Sequence, residues 1–315
     1  MGHLRRRCNL MSGIFAGLLG VGAASLDGTF GIFAIGFVNP GCGYSTTRDK
    51  YTYAGCAVTA GGAATAASGR GAAAGNSTTG IFALGNATAR STTRNKYTYS
   101  SCTVAAGGAA TTASSGGAAA GNSTVGIFAL GSTSTLQSTT RNKYTYSGCV
   151  VSTGGVATTA SQFGAATGNS TTGIFALGSA GCCVVLSTRD KYTYSSCAVA
   201  SATAATTASF CGSAVGNSTT GIFALGKNGC FVEVTTRNKY TYSGCTVTAG
   251  GAATCASSRG SAAGISTVGI FALGSDTTTR NKYTYSGCTV AAGGASTATS
   301  RYGSAAGNGT CGVNT

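Results

Sequence analysis

The sequence GIFALGNATARSTTRNKYTYSSC, residues 80–102, decides the fold, because close copies of it occur six times along the chain. The lysine of the RNKYTY or RDKYTY block lies 46, 47, 48, 48 and 43 residues from its counterpart in the next copy. About 285 of the 315 residues therefore belong to one tandem array. A self-similar period of this length indicates supersecondary units that stack on one another, so we expect a single repeat domain.

Each repeat predicts four short strands. In residues 71–85, GAAAGNSTTGIFALG, Gly75 and Asn76 supply the turn of a hairpin between two apolar segments. A stretch of variable length follows, and then RNKYTYS predicts a third strand on which Tyr97 and Tyr99 share one face. The segment CTVAAGG predicts a fourth strand that ends at a glycine pair. Four strands in about 47 residues are typical of one propeller blade.

The predicted fold class is all-β, a six-bladed β-propeller of four-stranded blades with about 47 residues per repeat. Seven blades are the alternative, because residues 302–315 begin a further hairpin. A β-solenoid could have the same period, but it needs polar caps, whereas partial repeats stand at both ends here. Partial repeats favour a ring in which one terminus completes the other's blade. Residues 1–19 form an N-terminal segment that could supply a closing strand, and residues 20–315 form the propeller domain.

The apolar residues of each repeat predict how the blades pack. GIFALG is apolar at consecutive positions instead of alternating, which indicates a strand buried on both faces. We therefore expect Ile81, Phe82 and Leu84, with their counterparts, to lie between blades, and Tyr97 and Tyr99 to be mostly buried beside them. The chain has 52 Gly and no Trp, so the blades should pack closely.

The order of these segments resembles a kelch-type β-propeller repeat, in which GIFALG takes the place of that family's apolar strand and double glycine. Similar TTRNKYTYSG and GNSTTGIFALG arrays occur in uncharacterised bacterial and bacteriophage repeat proteins, and this is the closer likeness. The chain departs from kelch repeats in two ways: one glycine follows each IFAL, and the family's blade Trp is absent, with small residues such as Ala57 and Val58 near its place. The resemblance covers nearly the whole chain and implies a propeller fold.

Positive charge recurs with the period of the fold. Twenty Lys and Arg against five Asp and Glu give a net charge of +15, and twelve of these cations belong to the repeat. Arg48 and Lys50 are two residues apart, so on a strand they share a face, with Tyr51 and Tyr53 nearby for stacking. A closed ring would carry an even cationic girdle. The candidate binding residues are Arg48, Lys50, Arg94, Lys96, Arg141, Lys143, Arg189, Lys191, Arg237, Lys239, Arg280 and Lys282.

Two interpretations of this girdle stay open. Six copies of one cationic patch could form a multivalent site for an acidic or sulfated glycan, nucleic acid or an acidic protein. Alternatively, the girdle is a solvated basic edge that keeps strands of different molecules from pairing. We expect Asp49 and Asp190 to lie at the surface as weak partners of their neighbours Arg48 and Arg189.

The inventory of reactive side chains excludes several function classes. His3 is the single histidine, no CxxC occurs, and the five acids are scattered, so we expect no catalytic residues, no metal ligands and no cofactor. Cys182, Cys183 and Cys230 occupy the same variable loop of neighbouring repeats and could form a disulfide. The repeat cysteines are expected as small buried side chains on the fourth strand; they are Cys56, Cys102, Cys149, Cys197, Cys245 and Cys288.

The N-terminus leaves the compartment open. Residues 1–25 imitate a secretory signal, with a basic start, an apolar stretch and small residues. Residues 20–36, however, align without a gap on residues 69–85, so that cleavage there would cut into a blade. No run reaches the roughly 18 apolar residues of a membrane span.

These observations favour a non-enzymatic repeat protein that acts as a binding or structural module on a bacterial or virion surface, in adhesion or in recognition of a glycan or polyanion. The alternative is an intracellular propeller scaffold that docks a protein or nucleic acid on a basic face. An extracellular, cell-surface or virion location is favoured over the cytoplasm. Expected partners are an acidic or sulfated glycan or other polyanion, a protein, or further copies of the chain.

Overall fold

The computed structural model describes residues 28–39, 43–134, 136–181 and 184–309, which form strands and turns and contain no helix. Their main elements are six antiparallel four-stranded sheets, each of which is one propeller blade. Within a blade, the strands are called first to fourth in their order across the sheet. Three two-stranded ribbons lie in the loops beside the blades.

The strand bounds repeat from blade to blade. Blade 1 contains Ser304–Gly307, Phe30–Ala34, Arg48–Thr52 and Ala57–Ala60; blade 2 contains Ala72–Gly75, Thr79–Ala83, Arg94–Thr98 and Thr103–Ala106; blade 3 contains Ala118–Gly121, Val125–Ala129, Arg141–Thr145 and Val150–Thr153; blade 4 contains Ala165–Gly168, Thr172–Ala176, Arg189–Thr193 and Ala198–Ala202; blade 5 contains Ser213–Gly216, Thr220–Ala224, Arg237–Thr241 and Thr246–Gly250; blade 6 contains Ser261–Gly264, Val268–Ala272, Arg280–Thr284 and Thr289–Ala292. The ribbons pair Phe37–Val38 with Gly43–Tyr44, Ser179–Ala180 with Val184–Val185, and Ser209–Phe210 with Lys227–Asn228.

The two ends of the chain close the ring. Ser304–Gly307 pairs antiparallel with Phe30–Ala34 and so supplies the first strand of blade 1. The same segment contacts Ser261–Gly264 of blade 6 and Ala72–Gly75 of blade 2, which makes the circle of first strands continuous. The predicted six-bladed ring is confirmed, and the seven-bladed and solenoid alternatives are wrong, because the last hairpin segment completes blade 1. The N-terminal segment 1–19 and the signal-like sequence lie outside the described residues.

Both faces of each blade are buried against its neighbours, as the continuous apolar block predicts. Six clusters of buried side chains each join two adjacent blades. Ile81 of the second strand packs towards blade 3, whereas its neighbour Phe82 packs towards blade 1 together with Tyr97 and Tyr99. Successive side chains of a strand point to opposite faces, so an apolar run is required where both faces are covered.

Small residues set the short distance between blades. A Cβ atom added at Gly80 would lie 2.8 Å from the Tyr99 hydroxyl and 3.2 Å from the Cβ of Ala306 in blade 1. That tyrosine hydroxyl donates a hydrogen bond to the carbonyl oxygen of Gly307, at 3.0 Å. Glycine at the start of the second strand and alanine on the first strand therefore allow the two backbones to approach closely.

A buried arginine from each blade reaches into the next one. In blade 2, Arg94 is 1% exposed, its Nη2 donates to Asn142 Oδ1 of blade 3 at 3.0 Å, and its Cζ lies 4.6 Å from the ring centre of Phe128. Burial lowers the pKa of Arg94 to about 10, which still leaves it charged at neutral pH. The six pairs form a closed cycle: Arg48 with Asn95, Arg94 with Asn142, Arg141 with Asp190, Arg189 with Asn238, Arg237 with Asn281, and Arg280 with Asp49.

Two of these contacts are buried salt bridges, and they correct an expectation from the sequence. Asp190 pairs with Arg141 and Asp49 pairs with Arg280, each at 2.7 Å. Both carboxylates are buried, so the prediction that they are surface partners of their sequence neighbours is wrong. The physical reason is strand alternation: an arginine and the residue after it point to opposite faces, one towards the next blade and the other towards the previous blade.

We predict that Arg141→Leu destabilises the protein more than Arg94→Leu, although both remove the same side chain. The first substitution leaves the Asp190 carboxylate buried without a counter-charge, which costs about 3–5 kcal/mol. The second leaves a neutral amide that keeps its hydrogen bonds with Thr111, for which a cost of about 1–3 kcal/mol is typical. Chemical denaturation followed by circular dichroism measures the difference in free energy of unfolding.

Asp190→Asn is the matched control, because four of the six interfaces have asparagine at this position. We expect it to cost under about 1 kcal/mol alone and to recover part of the loss when combined with Arg141→Leu, since it removes the uncompensated charge. Equal losses in the two leucine variants would show that the ion pair adds no constraint beyond that of the neutral pairs.

Alkaline pH should unfold the protein cooperatively. Burial raises the pKa of Tyr97 and Tyr99 above the usual value of about 10. Above pH 10 the unfolded chain therefore loses phenolic protons that the folded chain keeps, and stability falls as pH rises. The same upward shift holds for ten repeat tyrosines, namely Tyr51, Tyr53, Tyr97, Tyr99, Tyr144, Tyr146, Tyr192, Tyr194, Tyr240 and Tyr283.

The buried arginines act in the opposite direction, because a folded-state pKa lowered to about 10 for Arg94 lets the folded chain release protons that the unfolded chain keeps. The tyrosines outnumber them, so the net effect is destabilising. We expect tyrosinate absorbance to rise in the same transition in which the β-sheet signal is lost. Tyrosines that titrate gradually while the sheet signal stays constant would contradict this.

Candidate functional site: an axial recess within a variable face

The two ends of the propeller differ in how strictly they repeat. At one end lie the hairpins between first and second strands and the turns between third and fourth strands. Asn76 fixes the hairpin of blade 2: its Oδ1 accepts from the N–H groups of Thr78 and Thr79, and its Nδ2 donates to the carbonyl oxygen of Ser123 in blade 3. Asn122, Asn169 and Asn217 make the same bonds in the following blades. At this end, the same asparagine-stabilised turn therefore links each of these blades to the next one.

The opposite end carries the differences between repeats, and we call it the variable face. It consists of the loops that follow Gly36, Gly85, Gly131, Gly178, Gly226 and Gly274, together with six axial residues that immediately precede the glycine before each first strand. Both groups lie at this end because strands alternate in direction within a blade. The loops range from three residues to about nine and share little sequence.

The backbone of the axial residues closes a ring of six hydrogen bonds around the propeller axis. Each N–H donates to the carbonyl oxygen of the axial residue in the preceding blade, at 2.6–2.8 Å. All six have φ between 55° and 67°, in the left-handed region. In ring order they are Tyr302, Arg70, Gly116, Phe163, Cys211 and Arg259. The ring is uniform in its backbone, and its side chains are not.

The axial residues have a backbone conformation that glycine adopts with the least strain. Left-handed φ costs a residue with a side chain on the order of 1 kcal/mol, yet only Gly116 among the six is glycine. The next residue is glycine in every blade, because a Cβ at Gly71, for example, would lie 2.1 Å from the carbonyl oxygen of Ala83. The fold therefore determines the second position of each pair and leaves the first one free.

The ring is continuous with the variable loops. The residue before each axial residue pairs with the first residue of the loop in the same blade. In blade 2, Gly69 and Asn86 exchange two backbone hydrogen bonds of 2.8 Å, and in blade 3, Ser115 and Ser132 do the same at 2.9 and 2.8 Å. Axial side chains and loops thus form one surface around the axis.

A recess of about 40 Å³ lies at the centre of this surface, lined by the six axial residues and the glycines that follow them. Gly116 leaves room for the Phe163 ring, because a Cβ atom added at Gly116 would lie 2.9 Å from Cε1 of that ring. Phe163 extends towards Tyr302, so that their ring centres are 6.4 Å apart. Two aromatic rings therefore stand over the recess.

Two arginines give the recess its charge. Cζ of Arg70 lies 4.7 Å from the ring centre of Tyr302 and 5.7 Å from that of Phe163, and Cζ of Arg259 lies 5.1 Å from that of Tyr302. The Nε atoms of both arginines are buried and make no hydrogen bond in the described part of the chain. No carboxylate is among the residues that line the recess.

The remaining axial side chain adds no negative charge. Burial raises the pKa of the Cys211 thiol to about 11, although Arg259, Lys227 and Arg70 each lower it in part. The thiol is therefore neutral at neutral pH. The recess holds two positive charges beside two aromatic rings, a set that suits a small anionic group.

The predicted girdle residues lie elsewhere. The six repeat arginines, Arg48, Arg94, Arg141, Arg189, Arg237 and Arg280, are 1–2% exposed inside the inter-blade interfaces, so their expected place in a surface girdle is wrong. The six repeat lysines, Lys50, Lys96, Lys143, Lys191, Lys239 and Lys282, are half-buried at equivalent positions around the ring. Their role in binding stays a prediction.

Lys50 shows the environment of these lysines. Its Nζ lies 4.2 Å from the ring centre of Phe30 and 3.8 Å from Sγ of Cys102 in the next blade. Arg48 and Lys50 share a strand face, as predicted, but that face packs on the next blade. Arg48 is buried in this interface, whereas Lys50 is half-buried. The structure brings none of the twelve predicted cations to the axial recess.

The repeat cysteines also differ from expectation. They lie in the turn before the fourth strand, half-buried, with φ between 50° and 57°, whereas burial on that strand was predicted. The turn needs a left-handed residue there, and this separates the cysteine from the regular strand. Cys182 and Cys183 lie outside the described residues, and Cys230 carries a free, exposed thiol.

Sequence reasoning missed the axial residues because it searched for what recurs. Aligning the repeats on the glycine before each first strand shows Arg, Gly, Phe, Cys, Arg and Tyr in the preceding column. A column that varies beside an invariant glycine is the signal that could have found them.

Comparison with models of known protein families and with curated proteins yields no match. Within the described ranges, no three His, Cys, Asp or Glu side chains meet as the ligands of a metal would. The same ranges contain no helix long and apolar enough to cross a membrane.

We predict a wide range of thiol reactivity in the native protein. Cys230 and Cys255 are exposed, whereas Cys211 is buried and has a pKa raised from 9.0 to about 11, which lowers its thiolate fraction about a hundredfold. Iodoacetamide should therefore alkylate the two exposed cysteines first and Cys211 last, as followed by peptide mass spectrometry. Denatured protein is the control, in which all three should react alike. Alkylation of Cys211 as fast as Cys255 in folded protein would refute the burial of the Cys211 thiol.

Proposed function

We propose that the protein is a non-enzymatic binding module that holds polyanions, in particular acidic or sulfated glycans, through its lysine ring and its variable face. The observation that carries the proposal is the balance of outward charge. Outside the six inter-blade arginines, the described chain has eleven Lys and Arg, against Glu233 and Asp276 as the acids beyond the two buried ones. Such an excess attracts polyanions over several ångströms.

The two outer acids are already engaged within the protein. Glu233 accepts hydrogen bonds from Ser258 Oγ at 2.7 Å and from Ser275 Oγ at 2.9 Å, and Asp276 lies 3.4 Å from Arg301. Two negative charges thus stand against the eleven outward cations of the described residues, so the surface keeps a large positive excess. Sixfold placement of the lysines supports avidity, because one polymer can contact several equivalent cations at once.

A constant frame with one variable face also supports a recognition role, since the differences between repeats lie where a ligand can reach them. The proposal also includes a location on a bacterial or virion surface and a role in adhesion. It draws on the resemblance of the repeats to kelch repeats and to bacterial and bacteriophage repeat arrays.

A second candidate function is docking of a protein partner, which exposed apolar side chains favour. Leu136 is 70% exposed, and Val184, Phe231 and Val232 are 52–57% exposed. All four lie in the variable loops of the adjacent blades 3, 4 and 5. Apolar residues grouped in this way occur at protein-binding surfaces.

Titration with heparin, duplex DNA and a neutral polysaccharide at two salt concentrations tests the proposed function. We expect both polyanions to bind at low salt and to weaken linearly with the logarithm of salt concentration, with a slope near −0.9 per contacted phosphate on duplex DNA. The neutral polysaccharide should bind little. Absence of measurable binding to either polyanion at low salt would refute the proposal.

A pair of triple variants locates the contact. Lys96→Gln, Lys239→Gln and Lys282→Gln together should weaken polyanion binding and make its salt slope shallower by up to about three contacts. Thr103→Gln, Thr246→Gln and Thr289→Gln change exposed residues on the fourth strands of the same blades without removing charge, and should leave binding unchanged. Equal effects of the two triple variants would contradict a role for the lysine ring.

A further inference from the structure

We propose that the axial recess is a specific site for the carboxylate of an acidic sugar, with its sugar ring placed on the aromatic side chains at the mouth. This inference rests on the proposed function and names the chemical group that the variable face selects. The geometry that carries it is the meeting of Arg70, Arg259, Phe163 and Tyr302 on the hydrogen-bonded axial ring.

Two arginines make the recess positively charged. Arg70 and Arg259 lie on the two sides of Tyr302 in ring order, and both guanidinium groups are within 5.1 Å of its ring centre. Two like charges gathered on one aromatic ring repel each other, and no lining residue offsets them. An anion bound in the recess would reduce this repulsion.

The same arginines bring hydrogen-bond donors to the recess. A guanidinium presents its N–H donors as a planar fork that matches a carboxylate or phosphate in a bidentate way. Within the described chain, the buried Nε atoms of Arg70 and Arg259 have no acceptor. The Nε atoms of the six inter-blade arginines and of Arg301 are unpaired as well, so what distinguishes Arg70 and Arg259 is that their unpaired donors belong to residues that line a recess.

The size of the recess limits the group that can enter it. The recess has a volume of about 40 Å³, which is room for a few atoms, because one water needs roughly 10–15 Å³ of such space. A carboxylate, with three heavy atoms, fits this volume. The bulk of the ligand must then lie outside, against the mouth.

Two aromatic side chains lie at the mouth of the recess. Arg70 and Arg259 lie against the Tyr302 ring, and Arg70 is farther from the Phe163 ring, so Phe163 offers the freer ring face for a ring-shaped ligand and Tyr302 contributes its hydroxyl. Gln162, which precedes Phe163 in the chain, is a partly exposed amide that can both donate to and accept from hydroxyl groups. A sugar ring with one carboxylate matches the two arginines, the Phe163 ring and this amide.

The test uses sodium glucuronate as probe, with binding to the full chain measured by isothermal titration and by ligand-observed NMR. We expect one saturable site per chain for glucuronate, and no detectable binding of glucose or of the methyl ester of glucuronic acid. Arg70→Gln and Arg259→Gln should each weaken glucuronate binding at least about tenfold, because each removes a charged hydrogen-bond donor.

Two variants serve as controls. Arg90→Gln removes one positive charge from the variable face outside the recess, where Arg90 Nη2 donates to Ser132 Oγ at 3.1 Å, and it should leave glucuronate binding within about twofold. Arg70→Lys keeps the charge but loses the fork, so it should lose most of the glucuronate affinity. Circular dichroism melting of every variant shows whether the propeller is intact.

The outcomes separate this proposal from the broader one. Glucuronate binding that Arg70→Gln and Arg259→Gln leave unchanged would overturn the axial site, and so would absence of glucuronate binding to a protein that still binds heparin. Equal binding of acetate or inorganic phosphate would overturn the role of the sugar ring. Tighter binding of an N-acetylated dipeptide with a free carboxyl end would assign the recess to peptides instead. In all these cases, heparin binding that depends on the lysines would leave the proposed function standing.

Discussion

The guanidinium that crosses from each blade into the next is the contact on which the rest of the structure depends. It is charged, buried and has one side-chain acceptor, the Asn or Asp of the following blade, with the Phe ring of that blade beneath it. A buried charge is tolerated only when its geometry satisfies it, so each arginine fixes the distance and angle to its neighbour. Six such contacts in a cycle leave no free end. The carboxylates of Asp190 and Asp49 stand at the interfaces between blades 3 and 4 and between blades 6 and 1, which are opposite each other in the ring.

This constraint explains why one end of the molecule can vary. The arginine and acceptor of each pair lie on third strands, and the asparagine of each GNST hairpin reaches the next blade at the repeated end. Blade geometry is thus set by the strands and by that end. The axial residues take part through backbone groups alone, since each donates and accepts one main-chain hydrogen bond whatever its side chain is. Any residue that tolerates a left-handed φ at about 1 kcal/mol can therefore stand there, and the side chains are free to serve recognition.

Much of the fold follows from the sequence, because strand periodicity, turn residues and repeat length all reflect local physics. The continuous apolar block predicts that Ile81 and Phe82 are buried on opposite faces, and the partial repeats predict closure through Ser304–Gly307. What could not be predicted is which cations are covered. Alternation places Arg48 and Lys50 on one face, but when both faces of a blade are packed, periodicity no longer distinguishes inside from outside. The outcome depends on the position along the strand: Arg48 meets Asn95 and Phe82 of blade 2, whereas Lys50, two residues further on, stays half-buried.

The division of the cations between interior and surface changes how net charge relates to function. A formal charge of +15 counts six arginines that are buried between blades and two aspartates that neutralise a pair of them. The outward field comes from other residues, mainly the lysine ring and the variable face. The half-buried lysines of the ring act over about a Debye length and with little selectivity, because an ammonium group is a hydrated point charge. Arg70 and Arg259 act only within the recess, through directed donors and the Tyr302 ring. In the two proposals, long-range attraction therefore depends on the lysines and selection depends on Arg70 and Arg259, and a ligand of the recess would carry its charge on a group small enough to enter the axial ring.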